Sequence, residues 1–164
     1  MDTTLKDYLF VDLERELAVT RKVLERLPPE HYKWKPHEKS MSLQQLALHV
    51  ATIPDWARGT LANDVLDVAN APRPPQSVKD RAELLALFDA SAAAFDASKL
   101  NLPWSMKNGT EVIVSRPRSI VYRAWCMNHL IHHRAQLCLY LRLLNVPVPT
   151  VYFNTADDPT WQFD

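Results

Sequence analysis

The sequence predicts an all-α fold: a four-helix bundle with long inter-helix connections and a small β-hairpin between helices three and four. Three observations carry this. Apolar residues recur at helical spacing through four long segments. Only 2 glycines stand against 12 prolines, too few for the many tight turns of an all-β fold. Asn108-Gly109 lies between two short extended runs, the strongest short-range hairpin signal.

The first helix is expected over residues 3–27, where Leu5, Leu9, Leu13, Leu17, Val23, Leu24 and Leu27 share one face. Pro28-Pro29 stops it, and residues 30–40 read as a loop. Ser42-Leu43-Gln44-Gln45 has the form of a capping box opening helix two, which carries Leu43, Leu46, Ala47, Val50 and Ile53. Pro54 removes the bond to the carbonyl of Val50, so a kink or break is expected there. After the proline-rich residues 70–76, a cap-like Ser77–Asp80 opens helix three, with Leu84, Leu85, Leu87, Phe88, Phe95 and Leu100 on its apolar face. The hairpin occupies residues 103–114. Helix four runs from about Ser119 to Leu144, and Pro147 and Pro149 end the regular structure before a polar tail.

The chain of 164 residues and 18.8 kDa is expected to form one domain, residues 1–164. At this size about 70% of the chain's surface is buried on folding, so neither disulfides nor a metal is required merely to fold. Lys plus Arg equals Asp plus Glu at 19 each, which leaves no charge excess to drive nucleic-acid binding. No apolar run reaches membrane-spanning length, and the start, MDTTLKDYLF, lacks the basic and apolar stretches of a signal peptide. Cys126 and Cys138 fall on one helix, roughly 18 Å apart in rise, and cannot pair with each other. A reduced, cytoplasmic protein is the expectation.

Helix four carries His129-Leu-Ile-His132-His133. His129 and His133 are one turn apart and point the same way, a natural clamp for a divalent transition metal. Six histidines scattered over this length give about 0.2 such pairs by chance, so spacing alone also suits a core or solvated cluster. Their face, however, is mostly apolar, with Tyr122, Trp125, Cys126, Gln136, Leu137 and Tyr140, and buried imidazoles need partners. His132 is rotated about 60° away and is the poorer ligand. His49, among apolar residues of helix two, is the candidate third ligand, against the alternative of a satisfied core histidine. Three histidines with one open position make a catalytic rather than a closed structural arrangement.

Other chemistries lack their motifs. There is no HExxH, no Glu-x-x-His pair, and two scattered glycines permit neither GxGxxG nor a P-loop. Cys126, one turn from His129, reads as a small core residue before it reads as a fourth ligand or nucleophile. Trp34, Trp56 and Trp104 are core fillers that are also placed to wall a pocket. Asp157 and Asp158 read as solvated, with a general-base role open only if the tail folds over the metal.

These motifs resemble the DinB family of small bacterial four-helix-bundle proteins, which is unrelated to the DNA polymerase sharing the label. The resemblance rests on WKPHEKSMSLQQLALHVATIPDW (residues 34–56), VSRPRS at the hairpin's end and NHLIHHRAQLCLYLRLLNVPVPTVYFNTADD (residues 128–158). Ala135 and Asn145 stand where the family often has Gly, and Phe153-Asn154 replaces a Gly-containing turn.

The resemblance implies a bundle of DinB-like type with a three-histidine metal site of His49, His129 and His133. Zinc or nickel is the first expectation, and iron and copper also suit three imidazoles. Relatives that are thiol-dependent S-transferases, or the metal-binding domain of a mycothiol-dependent isomerase, imply a low-molecular-weight thiol as co-substrate. The expected function is metal-dependent activation of that thiol for S-transfer, or of water for hydrolysis, on a small-molecule substrate. The alternative is a non-catalytic, metal-binding or stress-related bundle. The family further implies a homodimer, which the long apolar circumference of helix four suits.

Overall fold

The computed structural model describes residues 4–93 and 95–159. The helices are α1 (Leu5–Phe10), α2 (Leu13–Glu25), α3 (Leu43–Ala62), α4 (Arg81–Ser91), α5 (Arg118–Val121) and α6 (Asn128–Leu143). Strands β1 (Val65–Asp67), β2 (Pro103–Asn108) and β3 (Glu111–Pro117) complete the fold. The architecture is helical as expected, and α2 and α3 each pack against both α4 and α6. No helix among the described residues is long and apolar enough to cross a membrane.

The caps are built from the residues that signal them. Ser42 Oγ accepts from Gln45 N–H at 3.2 Å, while Gln45 Oε1 accepts from Ser42 N–H at 2.8 Å. Asp80 accepts from Glu83 N–H at 2.9 Å to open α4. At the end of α6, Asn145 takes φ 56°, its N–H reaches the Arg142 carbonyl, and the Val146 N–H reaches that of Leu141. This is a Schellman closure, and Asn is the non-glycine residue that tolerates it best.

Four expectations are corrected. The first helix is interrupted at Val11-Asp12, so α1 and α2 replace one long helix; residue 3 lies outside the described residues. Of the kink or break expected at Pro54, the break does not occur, and α3 runs on to Ala62. Helix α4 stops at Ser91, so Phe95 and Leu100 are not on its face. There Asp96 draws the N–H and the hydroxyl of Ser98 to its carboxylate, which competes with a helical ladder. Leu100 is nevertheless buried, in a turn.

The hairpin, finally, is part of a three-stranded sheet of order β1-β2-β3. β2 and β3 are antiparallel around Gly109-Thr110, and Gly109 takes φ 62°, which that turn position requires. β1 joins β2 in parallel, Val65 opposite Ser105, and α4 lies in the crossover that parallel pairing demands. The Asp67 carboxylate fastens this edge by accepting the Gly109 N–H at 3.0 Å.

Two apolar clusters fill the bundle. One joins Val23, Leu24 and Leu27 to Leu46, Val50, Phe88, Leu137 and Leu141. The other gathers Leu13, Ala57, Leu61, Leu100, Tyr122, Cys126 and Met127 at the end nearer the sheet. Between α5 and α6, residues Tyr122–Met127 form a π-helical turn. Helix four is thus a composite, and its widened turn lies directly before Asn128-His129. Such turns recur beside functional sites.

Candidate metal centre

His49 comes from the middle of α3, and His129 and His133 come from consecutive turns of α6. The two helices pack together, and this brings the three rings onto one point. Each pair of ring centroids is 4.6–4.8 Å apart. His49 Nε2 and His129 Nε2 are 2.9 Å from each other. One nitrogen from each ring lies within 4.8 Å of the others, and all three side chains are half-buried.

The electrostatics fit a metal. Burial, with His133 and His129 close by, lowers the His49 pKa to about 4. Burial also lowers those of His129 and His133, against the opposing effect of their hydrogen bonds. All three imidazoles are therefore neutral near pH 7, with ring nitrogens converging where no carboxylate among the described residues joins them. A tetrahedral divalent ion holds imidazole nitrogens about 3.3 Å apart, which falls between the 2.9 Å of the His49–His129 pair and the 4.8 Å that bounds the set. The donor set fits the ion implied by the resemblance.

The rings are held from behind. His133 Nδ1 lies 2.7 Å from Gln136 Oε1, and His129 bonds the backbone of Trp125 within the π-helical turn. Such partners fix the orientation and tautomer of a ligating imidazole. Helical spacing sets Gln136 and Trp125 on the face of the two histidines, but it did not assign them these bonds. Trp56 stands edge-on to His129, with centroids 6.0 Å apart.

The other candidates fall away from the centre. His132 is exposed and bonds Gln136 rather than joining the cluster. Cys126 is fully buried in the second apolar cluster, where burial pushes its thiol up to about 12, so it is neither ligand nor nucleophile. Trp34 packs on Tyr140 instead of lining the site. The tail does fold back, but against the end of α6. Asp157 pairs with Arg142 and accepts the Val148 N–H, and Asp158 accepts from Thr150. Asp157 stays exposed as expected while Asp158 is half-buried, and neither joins the histidine cluster.

Three hollows meet around the centre. One of about 340 Å³ is lined by His49, Thr52, Met41 and Gln45. A shallow one of about 370 Å³ is lined by His129, His132, Trp125 and Trp56. The largest, about 730 Å³, lies beside Thr52 and Trp56. The histidines are therefore reachable from outside, as an open coordination position requires.

The family model of the DinB family matches residues 1–162. The chain belongs to the DinB family. No curated protein matches the sequence. Among solved structures it is similar to a DinB-like protein from Bacillus cereus ATCC 10987, with 23% identity and a TM-score of 0.62 over 93% of this chain and 100% of that one. It is also similar to a candidate DinB-family member from Exiguobacterium sibiricum 255-15, with 19% identity and a TM-score of 0.62 over 92% of this chain and 98% of that one. At these identities the likeness is one of fold. The DinB family and the three-histidine cluster together fit a metal-binding protein.

Proposed function

We propose that this DinB-family chain is a metal-dependent enzyme in which His49, His129 and His133 hold one divalent ion, zinc or nickel before iron or copper. Its co-substrate is a low-molecular-weight thiol, transferred to a small electrophilic molecule. The observation that carries the reading is that three neutral imidazoles, and no fourth protein ligand among the described residues, converge where the surface is open. A closed structural site would supply a fourth side chain.

A bound divalent ion supplies Lewis acidity at its open position, which lowers the pKa of a thiol or water held there. The protein's own contribution is positional. Gln136 and the Trp125 backbone hold two of the rings, and α3 and α6 fix their separation. The Thr52 hydroxyl, one turn from His49, donates to the carbonyls of Leu48 and His49 and is not a base. With no carboxylate among the described residues at the cluster, the base that activation of water favours has no candidate there, and a thiol suits the site better. On this reading the chain acts as a single cytoplasmic domain and as a homodimer.

The test begins with elemental analysis of the purified chain beside His49→Ala, His129→Ala and His133→Ala. About one ion per chain, lost in each variant while the helical circular dichroism persists, supports the site. Thiol-dependent loss of an electrophile, abolished in the same variants, then supports the enzyme. A wild type that takes up no divalent ion after reconstitution would sink the proposal. One that binds metal but turns over neither thiol nor water would leave a non-catalytic metal-binding bundle.

A further inference from the structure

A large cleft lies not at the histidines but beside them. This cleft of about 730 Å³ lies between α3, the proline-rich stretch after β1, and α4. Its walls include Trp56, Trp104, Leu66, Leu87 and Pro74, and its size is that of a small-molecule site. Thr52, Pro74 and Pro75 border both the cleft and the hollow at His49, while Trp56 borders both the cleft and the hollow at His129. His49, Thr52, Trp56 and Gly59 follow one another at three- and four-residue steps on α3, which sets them on one face of the helix. The cleft thus shares walls with both hollows at the candidate metal centre.

Gly59 points to a use for this space. It is one of 2 glycines in the chain and sits inside α3, where glycine costs about 1 kcal/mol relative to alanine. No close packing demands it. A Cβ there would meet only the end of the Asn63 side chain, at 4.0 Å. The missing side chain instead leaves the cleft open, since Gly59 lines it. Trp56 adds a buried indole N–H with no partner among the described residues.

We infer that this cleft binds the apolar, aryl- or alkyl-bearing body of a small molecule whose reacting end reaches the three-histidine centre, with Gly59 keeping its floor clear and Trp56 forming the wall shared with the metal. The inference rests on the proposed reading for the identity of the reacting end, and on the cleft alone for the apolar body.

The experiment uses the full chain loaded with cobalt(II) and two thiols, mercaptoethanol and phenylbutanethiol, followed by sulfur-to-cobalt charge-transfer absorption. Phenylbutanethiol is expected to bind at least about tenfold tighter. Gly59→Leu, which suits a helix and fills the cleft, is expected to erase that advantage and leave mercaptoethanol binding unchanged. Phenylbutanol, which lacks the thiol, is followed separately in proton–nitrogen correlation spectra. It is expected to shift the indole signals of Trp56 and Trp104 in the wild type but not in Gly59→Leu. If phenylbutanol moves neither indole, or Gly59→Leu leaves the thiol preference intact, the inference is overturned. If neither thiol changes the cobalt spectrum while phenylbutanol still moves the indoles, the thiol reading falls and the apolar cleft stands.

Discussion

Gln136 holds His133 in place, its Oε1 lying 2.7 Å from His133 Nδ1, while its Nε2 lies 3.2 Å from His132 Nε2. An amide oxygen only accepts, so His133 carries its proton on Nδ1 and keeps Nε2 as the lone-pair nitrogen. Gln136→Leu is therefore expected to weaken zinc binding by about 10- to 100-fold without unfolding the chain. His132→Ala, which removes only the exposed neighbour, is expected to leave affinity near the wild-type value. Competition against a chromophoric chelator measures both. Equal affinities for Gln136→Leu and wild type would remove Gln136 from the site.

The His129–His133 half of the cluster was legible in the sequence because i and i+4 spacing on one helix is a property of the chain alone. His49 needed the additional guess that helices two and four face each other, and the packing of α3 on α6 supplies it. What holds the ligands was not legible. The π-helical turn at Tyr122–Met127 leaves no periodic trace over 6 residues, and it sets the Trp125 carbonyl beside His129. The third strand was missed because Val65–Asp67 is only 3 residues long and pairs with a strand beyond α4. The helix break at Val11-Asp12 has no Pro or Gly to announce it, and both residues keep right-handed helical torsions. The partners of the tail aspartates were not legible, because they are the Val148 and Thr150 N–H groups and, for Asp157, Arg142 of α6, which no residue pattern displays.

Burying three imidazoles beside one another makes the metal-free protein acid-sensitive. The folded chain holds the His49 pKa at about 4, below the ordinary 6.5, and the other two are also lowered. Above 6.5 both folded and unfolded chains are neutral at these positions, and no difference arises. As pH falls below 6.5 the unfolded chain takes up protons that the folded chain refuses, so stability declines down to about 4. The midpoint of urea unfolding of the metal-free protein should therefore fall between pH 7 and pH 5. His49→Leu should flatten that fall. A midpoint constant over this range would contradict the crowding.

Arg118 joins the sheet to the helix that carries His49. Its guanidinium is wholly buried and donates to the carbonyls of Thr60, Asn63 and Pro103, and to Asp64. Two of these carbonyls lie at the end of α3, where the helix leaves acceptors without partners. Lysine cannot fork across them, so Arg118→Lys should cost about 2–4 kcal/mol despite keeping the charge. Asp64→Asn should cost under about 1 kcal/mol, because the Asp64 side chain is 76% exposed. Denaturant titration compares the two. If the aspartate variant proves as damaging as the lysine one, the ion pair rather than the carbonyl fork carries the contact.

Arg134, next to His133 in sequence, fixes α6 against α2 and the tail. It is 2% exposed, and its Nη1 lies 2.6 Å from Glu16 Oε2 and 3.2 Å from Thr20 Oγ1. Its Nη2 donates to the Tyr152 hydroxyl at 2.7 Å, and that hydroxyl donates to Glu16 in turn. Removing one partner strands the other charge out of water, which costs more than the pair is worth. Arg134→Met should thus destabilise the fold by about 3–5 kcal/mol, leaving Glu16 with Tyr152 as its only side-chain donor in this group. Replacing both, as Glu16→Leu with Arg134→Met, should recover most of that loss, since no buried charge remains. Urea unfolding of the three variants decides the matter, and zinc affinity measured alongside should be unchanged in the double variant. A double variant as unstable as Arg134→Met would mean that the bonds themselves, and not the stranded carboxylate, hold α6 in place.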